Sequence, residues 1–89
     1  MMRRAKQDIV FDMLRAIQEK GGTIKPTHLL YKSNLSHSRM KELLSELTEK
    51  KLVENRVVNE HGVLVLTEQG YEFLSKWQQL KAFTEAFGL

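Results

Sequence analysis

The stretch YKSNLSHSRMKELLSELTEKKLVE, residues 31–54, passes from a short polar turn through an apolar stripe into a β-branched exit. Its middle carries Met40, Leu43, Leu44 and Leu47 at i, i+3, i+4 and i+7, the spacing of one helix face turned toward a core. Ser36, just ahead of that stripe, is a good N-cap because its hydroxyl can accept a hydrogen bond from a free amide of the first turn. Asn34 adopts the left-handed backbone more readily than most residues, so a tight turn between helices is expected there, with Leu35 plugging the corner. Lys50 and Lys51 fall in the expected last turn, where the helix dipole favours cations.

Upstream of this stretch, Pro26 can open a short helix at its first position, where a missing N–H costs nothing. Leu29 and Leu30 then face inward and Lys32 outward. A first helix is expected from about Met2 to Lys20, with Lys6, Val10, Met13, Leu14 and Ile17 on one face. Gly21 and Gly22 end it, since glycine supplies a left-handed cap without steric cost. Phe11 lies off the stripe and is expected to be exposed in a monomer. Downstream, LVENRVV and VLVLT are β-branched runs separated by Asn59, Glu60, His61 and Gly62. That reads as a four-residue hairpin loop with Gly62 in the left-handed position. Thr67 caps a final helix running to about Phe87. The order helix, helix, turn, helix, hairpin, helix predicts a mainly α fold with a β-hairpin, a winged helix-turn-helix (helix-helix-helix-strand-strand-helix).

A chain of 89 residues has room for one hydrophobic core and no second domain. Residues 1–70 are read as the winged helix-turn-helix domain and 71–89 as a C-terminal dimerisation helix of the same compact unit. The chain has no cysteine, hence no disulfide and no thiolate zinc site, which fits a reducing, cytoplasmic setting. No apolar run approaches a membrane span, and MMRRAKQD lacks the apolar segment of a secretory signal. Charge is unevenly placed. Residues 1–53 hold eleven Lys/Arg against six Asp/Glu, a net of +5, whereas residues 54–89 hold three against five, a net of −2. The basic half contains the opening stretch, and a basic patch attracts polyanions.

The face opposite the Met40–Leu47 stripe presents His37, Ser38, Lys41, Glu42, Ser45 and Glu49, small and polar near its N-terminus and acidic toward its C-terminus, with Arg39 to one side. In a helix-turn-helix the N-terminal residues of the second helix reach base edges and phosphates. Lys41 can neutralise a phosphate or donate to guanine, and the serines can donate to either. Lys25, Thr27 and His28 at the start of the preceding helix add backbone amides that can hold a phosphate, with Lys32 nearby. At the hairpin Arg56 and His61 are the cationic candidates, and Glu60 beside His61 opposes a phosphate. Catalysis finds no support: the histidines lack metal-ligand spacing, and there is no nucleophile elbow or phosphate-cradling loop. No cofactor or small-molecule ligand is evident. On the last helix Phe73, Trp77, Leu80, Thr84 and Phe87 are spaced 4, 3, 4, 3, the seam of a coiled coil, and with Phe11 they predict a homodimer. Tyr71 and Leu74 provide a separate face toward the core.

THLLYKSNLSHSRMKELLSELTEKKLVE followed by LVLTEQGYEFL resembles the archaeal winged-helix transcriptional regulators, a family that includes a small dimeric Sulfolobus DNA-binding protein. The shared pattern is a Leu-Ser turn, a helix with a Leu-Leu pair, a KLV exit, a variable hairpin and LT-E-x-G opening the last helix. It covers about Ile9 to Trp77. The resemblance implies binding of double-stranded DNA through the helix at about 36–50 and the wing, and a dimer formed through the last helix. It places the DNA face on His37, Ser38, Lys41 and Ser45, with Thr27 and Lys32 nearby. This chain departs from the pattern in a wing tip poor in Lys and Arg and in a final helix shorter than that of some relatives. The competing expectation is a winged-helix protein–protein interaction module that does not touch DNA.

Overall fold

The computed structural model describes residues 5–89. The expected residues Met2 to Arg4 of the first helix lie outside that range. Helix α1 (Lys6–Glu19) buries Val10, Phe11, Met13, Leu14 and Ile17. It ends in a Schellman motif: Gly22 N–H donates to the Ile17 carbonyl and Gly21 N–H to that of Gln18. Both glycines have positive φ, 82° and 95°. Strand β1 (Thr23–Ile24) follows, then α2 (Pro26–Ser33), with Pro26 in its first turn. Asn34 turns the chain in the left-handed region at φ 53°, ψ 41°. Ser36 then caps α3 (His37–Glu49), accepting from Arg39 N–H at 3.2 Å.

Strands β2 (Val53–Val58) and β3 (His61–Leu66) form the hairpin, and α4 (Glu68–Ala86) closes the chain with Thr67 as its cap. The sheet is antiparallel in the order β1-β3-β2, with Thr23 opposite Val65 and Val53 opposite Leu66. One core unites the elements: Met13, Leu14 and Ile17 of α1, Leu29 of α2, Leu43 of α3, Leu64 of β3 and Leu74 of α4.

Four expectations are corrected. The hairpin loop has two residues, not four. Asn59 and Glu60 both sit at positive φ, 50° and 65°, as a type I′ turn requires, while Gly62 pairs with Val57 inside the ladder. The sheet gains a third strand, because Thr23 and Ile24 leave the double-glycine cap alongside β3. Helix α3 ends at Glu49, so Lys50 and Lys51 lie beyond its last turn. Lys51 takes φ 62° in a second Schellman motif, in which Leu52 N–H donates to the Leu47 carbonyl.

The fourth correction is Phe11, which is buried at 5% exposure instead of standing free. Helix α1 packs on α2 along one side and on α4 along another, so its core face is wider than the stripe. Lys81 of α4 covers the Phe11 ring, with Nζ 5.5 Å from the centroid. The exposure that placed Phe11 at an interface is therefore absent.

Candidate nucleic-acid interface

The turn and cap fix which way α3 faces. Met40, Leu43 and Leu47 are buried, which turns His37, Ser38, Lys41 and Ser45 to solvent on the opposite side. These four form one exposed polar face along the first turns of α3. Lys41 has no acidic partner among the described residues. Arg39 differs: it is half-buried and its guanidinium pairs with Glu42 at 3.5 Å. Beside the face, Lys41, Ser45, Thr48 and Glu49 of α3 meet Asn55 of β2 around an open groove. Asn55 and Thr48 were missed by the sequence reading, since neither charge nor periodicity marks them.

Helix α2 adds a second edge. Lys25 stands at its N-cap and makes no side-chain cap bond, so the amides of Thr27 and His28 remain open. Lys25, Thr27 and Lys32 are exposed. Desolvation, then the charges of Lys20 and Lys32, push His28 below its ordinary value. The wing offers less. Arg56 is held by Glu54, with Nη2 at 2.9 Å and Nε at 3.0 Å from the same carboxylate oxygen. His61 is exposed and follows Glu60 of the turn. The helix-turn-helix candidates thus fall on two adjoining helices, whereas Arg56 and His61 lie on a separate hairpin with an acidic tip.

Most of the α4 seam is on the surface. Phe73, Leu80 and Phe87 are exposed, Thr84 is half-buried, and Trp77 is half-buried and packs on the core. Thr84 Oγ1 donates to the Leu80 carbonyl at 2.8 Å. Phe83 joins the exposed set, with its ring centroid 5.0 Å from that of Phe87. No helix among the described residues is long and apolar enough to cross a membrane.

The family model for winged helix-turn-helix proteins matches residues 3–85, nearly the whole chain. The chain belongs to the winged helix-turn-helix family. No curated protein matches it. Among solved structures it is similar to Sso10a-2, a DNA-binding protein from Sulfolobus solfataricus, with TM-score 0.79 and 18% identity over 94% of this chain and 85% of that one. It is also similar to a winged-helix DNA-binding protein from STIV, with TM-score 0.74 and 15% identity over 88% of this chain and 90% of the other. MarR from E. coli in its oxidized form superposes with TM-score 0.75 and 22% identity over 82% of this chain, which spans about half (53%) of MarR. At these identities the likeness is one of fold.

Proposed function

We propose that this winged helix-turn-helix protein binds double-stranded DNA and acts as a transcriptional regulator, with α3 in the major groove. The observation that carries the reading is the exposed face His37–Ser38–Lys41–Ser45, held outward by the burial of Met40, Leu43 and Leu47. Lys41 meets a phosphate or a guanine edge, and Ser38 and Ser45 are small enough to let the backbone of α3 approach the bases. The open amides of Thr27 and His28, with Lys25 and Lys32 alongside, hold the flanking phosphate backbone. The Sulfolobus and STIV neighbours are DNA-binding proteins, which supports this reading. The setting is cytoplasmic, and the active form is a homodimer joined through residues 71–89.

Few free cations face the duplex, so about three to five phosphate contacts per protomer are expected, with a non-specific Kd no tighter than about micromolar at physiological salt. Anisotropy titrations of a random duplex at several salt concentrations test this. The log–log slope should be about −0.9 per phosphate neutralised, and Lys41→Ala should reduce its magnitude by about 1. Ser45→Trp, at an exposed position, should block groove entry without unfolding the protein. Duplex binding that is undetectable even at low salt would favour the protein-interaction reading. Wild-type binding by both variants, with loss on Arg56→Ala or His61→Ala, would move the reader to the wing.

A further inference from the structure

Behind the recognition helix lies a recess that the DNA face does not use. Val10 of α1, Leu43 and Leu47 of α3, Leu52 before β2, and Phe73 of α4 line about 220 Å³ open to solvent. The volume is below the range of about 300–1,000 Å³ typical of drug-sized ligands, so it suits a single ring or a short acyl chain. Its rim is built differently from its floor. Lys6 of α1 and Lys50 of the α3 cap both reach Glu46, with Nζ at 2.7 Å and 3.2 Å from the same carboxylate oxygen. Two ammonium groups therefore share one carboxylate over an apolar floor, so the cluster carries one net positive charge among the described residues. Phe73, at the edge of exposure, offers a ring to stack on.

We infer that this recess binds a small amphipathic monocarboxylate, aromatic or short-chain aliphatic, whose carboxylate completes the Lys6–Glu46–Lys50 cluster while its apolar part fills the floor. The charge balance selects the anion: a neutral ligand leaves the extra ammonium unpaired, and a cation adds to it. Leu43, Glu46 and Leu47 belong to α3, and Lys6–Glu46 ties α1 to α3 across 40 residues of sequence. A ligand carboxylate that shares Lys6 with Glu46 alters that tie. Occupancy then bears on the helix whose opposite face carries Lys41 and Ser45, and this coupling rests on the DNA-binding reading above. Binding itself does not.

The probes are benzoate and hexanoate, with benzamide as the neutral control, followed by amide chemical shifts of the full chain without DNA. A ligand of this size is expected to bind with a Kd of about 0.1–1 mM. Saturable shifts at Leu43, Leu47 and Phe73 are expected with both carboxylates and not with benzamide. Lys6→Gln combined with Lys50→Gln, both at exposed positions, should weaken carboxylate binding at least about fivefold. Phe73→Ala should weaken benzoate more than hexanoate. Equal binding of benzamide, or no saturable shift up to about 10 mM benzoate, overturns the inference. So does movement of the Leu43 and Leu47 amides with protein concentration alone, which would assign the recess to a second copy of the chain; Phe73, on the expected α4 seam, is not used for this control. A separate DNA titration with and without benzoate reads the coupling. If carboxylates bind and DNA does not, the site stands and the DNA reading fails.

Discussion

At the scale of single residues, the LT-E-x-G pattern at Leu66–Gly70 shows why a short motif can mark a fold. Thr67 Oγ1 accepts from Gly70 N–H at 3.0 Å and so caps α4. The same hydroxyl donates back to the exit of α3, to the Lys51 carbonyl at 2.6 Å. One side chain thus joins two helix ends. Gly70 has to be glycine for a different reason: a Cβ there would run into the Leu52 carbonyl oxygen and the Leu66 side chain. Backbone and a core leucine cannot both give way. Gly70→Ala should therefore cost about 1–3 kcal/mol, the usual range for overpacking, although alanine is the better helix former. Thermal melts check it, at about 4–8 °C per kcal/mol for a domain of this size. A variant as stable as wild type would show that the approach of α4 to the Leu52 carbonyl is loose.

At the scale of elements, what could be read from the sequence was what local chemistry alone enforces. Asn34, Ser36, Pro26 and the Gly21–Gly22 pair act within a turn of chain, and each was found where the sequence placed it. The failures are of another kind. Strand β1 is two residues long, too short for any periodicity, and exists only because β3 lies beside it. Burial of Phe11 depends on α4, and the Lys6–Glu46 bond spans elements that periodicity cannot relate. In the candidate interface, residue types and helical phase identified the α3 face, but Asn55 enters only through the folding of β2 against α3. The hairpin failed because glycine was expected to take the left-handed position. Glu60 takes it instead, at φ 65°. A Cβ there costs about 1–2 kcal/mol and glycine forfeits about 0.5–1 kcal/mol in entropy, so Glu60→Gly should stabilise the fold by about 0.5–1 kcal/mol. A melting temperature that falls would refute the type I′ geometry. The α1–α3 tie makes a pH prediction. Hydrogen bonds from Lys6 and Lys50 hold the Glu46 carboxyl below its ordinary value of 4.5. Its folded value is depressed, so its contribution is present above about pH 4.5 and is lost as pH falls through the lower folded value. Glu46→Gln should lower the melting temperature slightly at pH 7, with the difference closing in acid. A difference that stays constant down to pH 3 would remove Glu46 from the linkage.

At the scale of the whole molecule, one surface is left without a partner. The accessible area is 6635 Å², against about 5,400 Å² for an ordinary folded monomer of this mass. The radius of gyration is 13.6 Å, where about 12 Å is usual for this length. Much of the exposed apolar surface lies on α4, where Phe73, Leu80, Phe83 and Phe87 are exposed. Trp77 packs on the core, so the seam is narrower than its heptad spacing suggested, and Phe83 widens the exposed apolar surface as a tilted pair with Phe87. Nineteen helical residues give about 28 Å of contact line, short for a coiled coil in isolation. The aromatic rings, each able to bury about 150–250 Å², make up for the length. A homodimer with a dissociation constant of micromolar or tighter is therefore expected. Sedimentation of the wild type and of Leu80→Glu with Phe87→Glu tests it, and circular dichroism verifies that the variant stays folded, since neither position is buried. The variant should run at half the wild-type mass and keep its melting temperature extrapolated to low concentration. On DNA, the dimer should favour paired half-sites one helical turn apart, about 34–36 Å, whereas the monomeric variant should bind single sites with its salt slope per protomer unchanged. A wild type that remains monomeric at about 100 µM, far above the expected dissociation constant, would leave the exposed face of α4 to some other role.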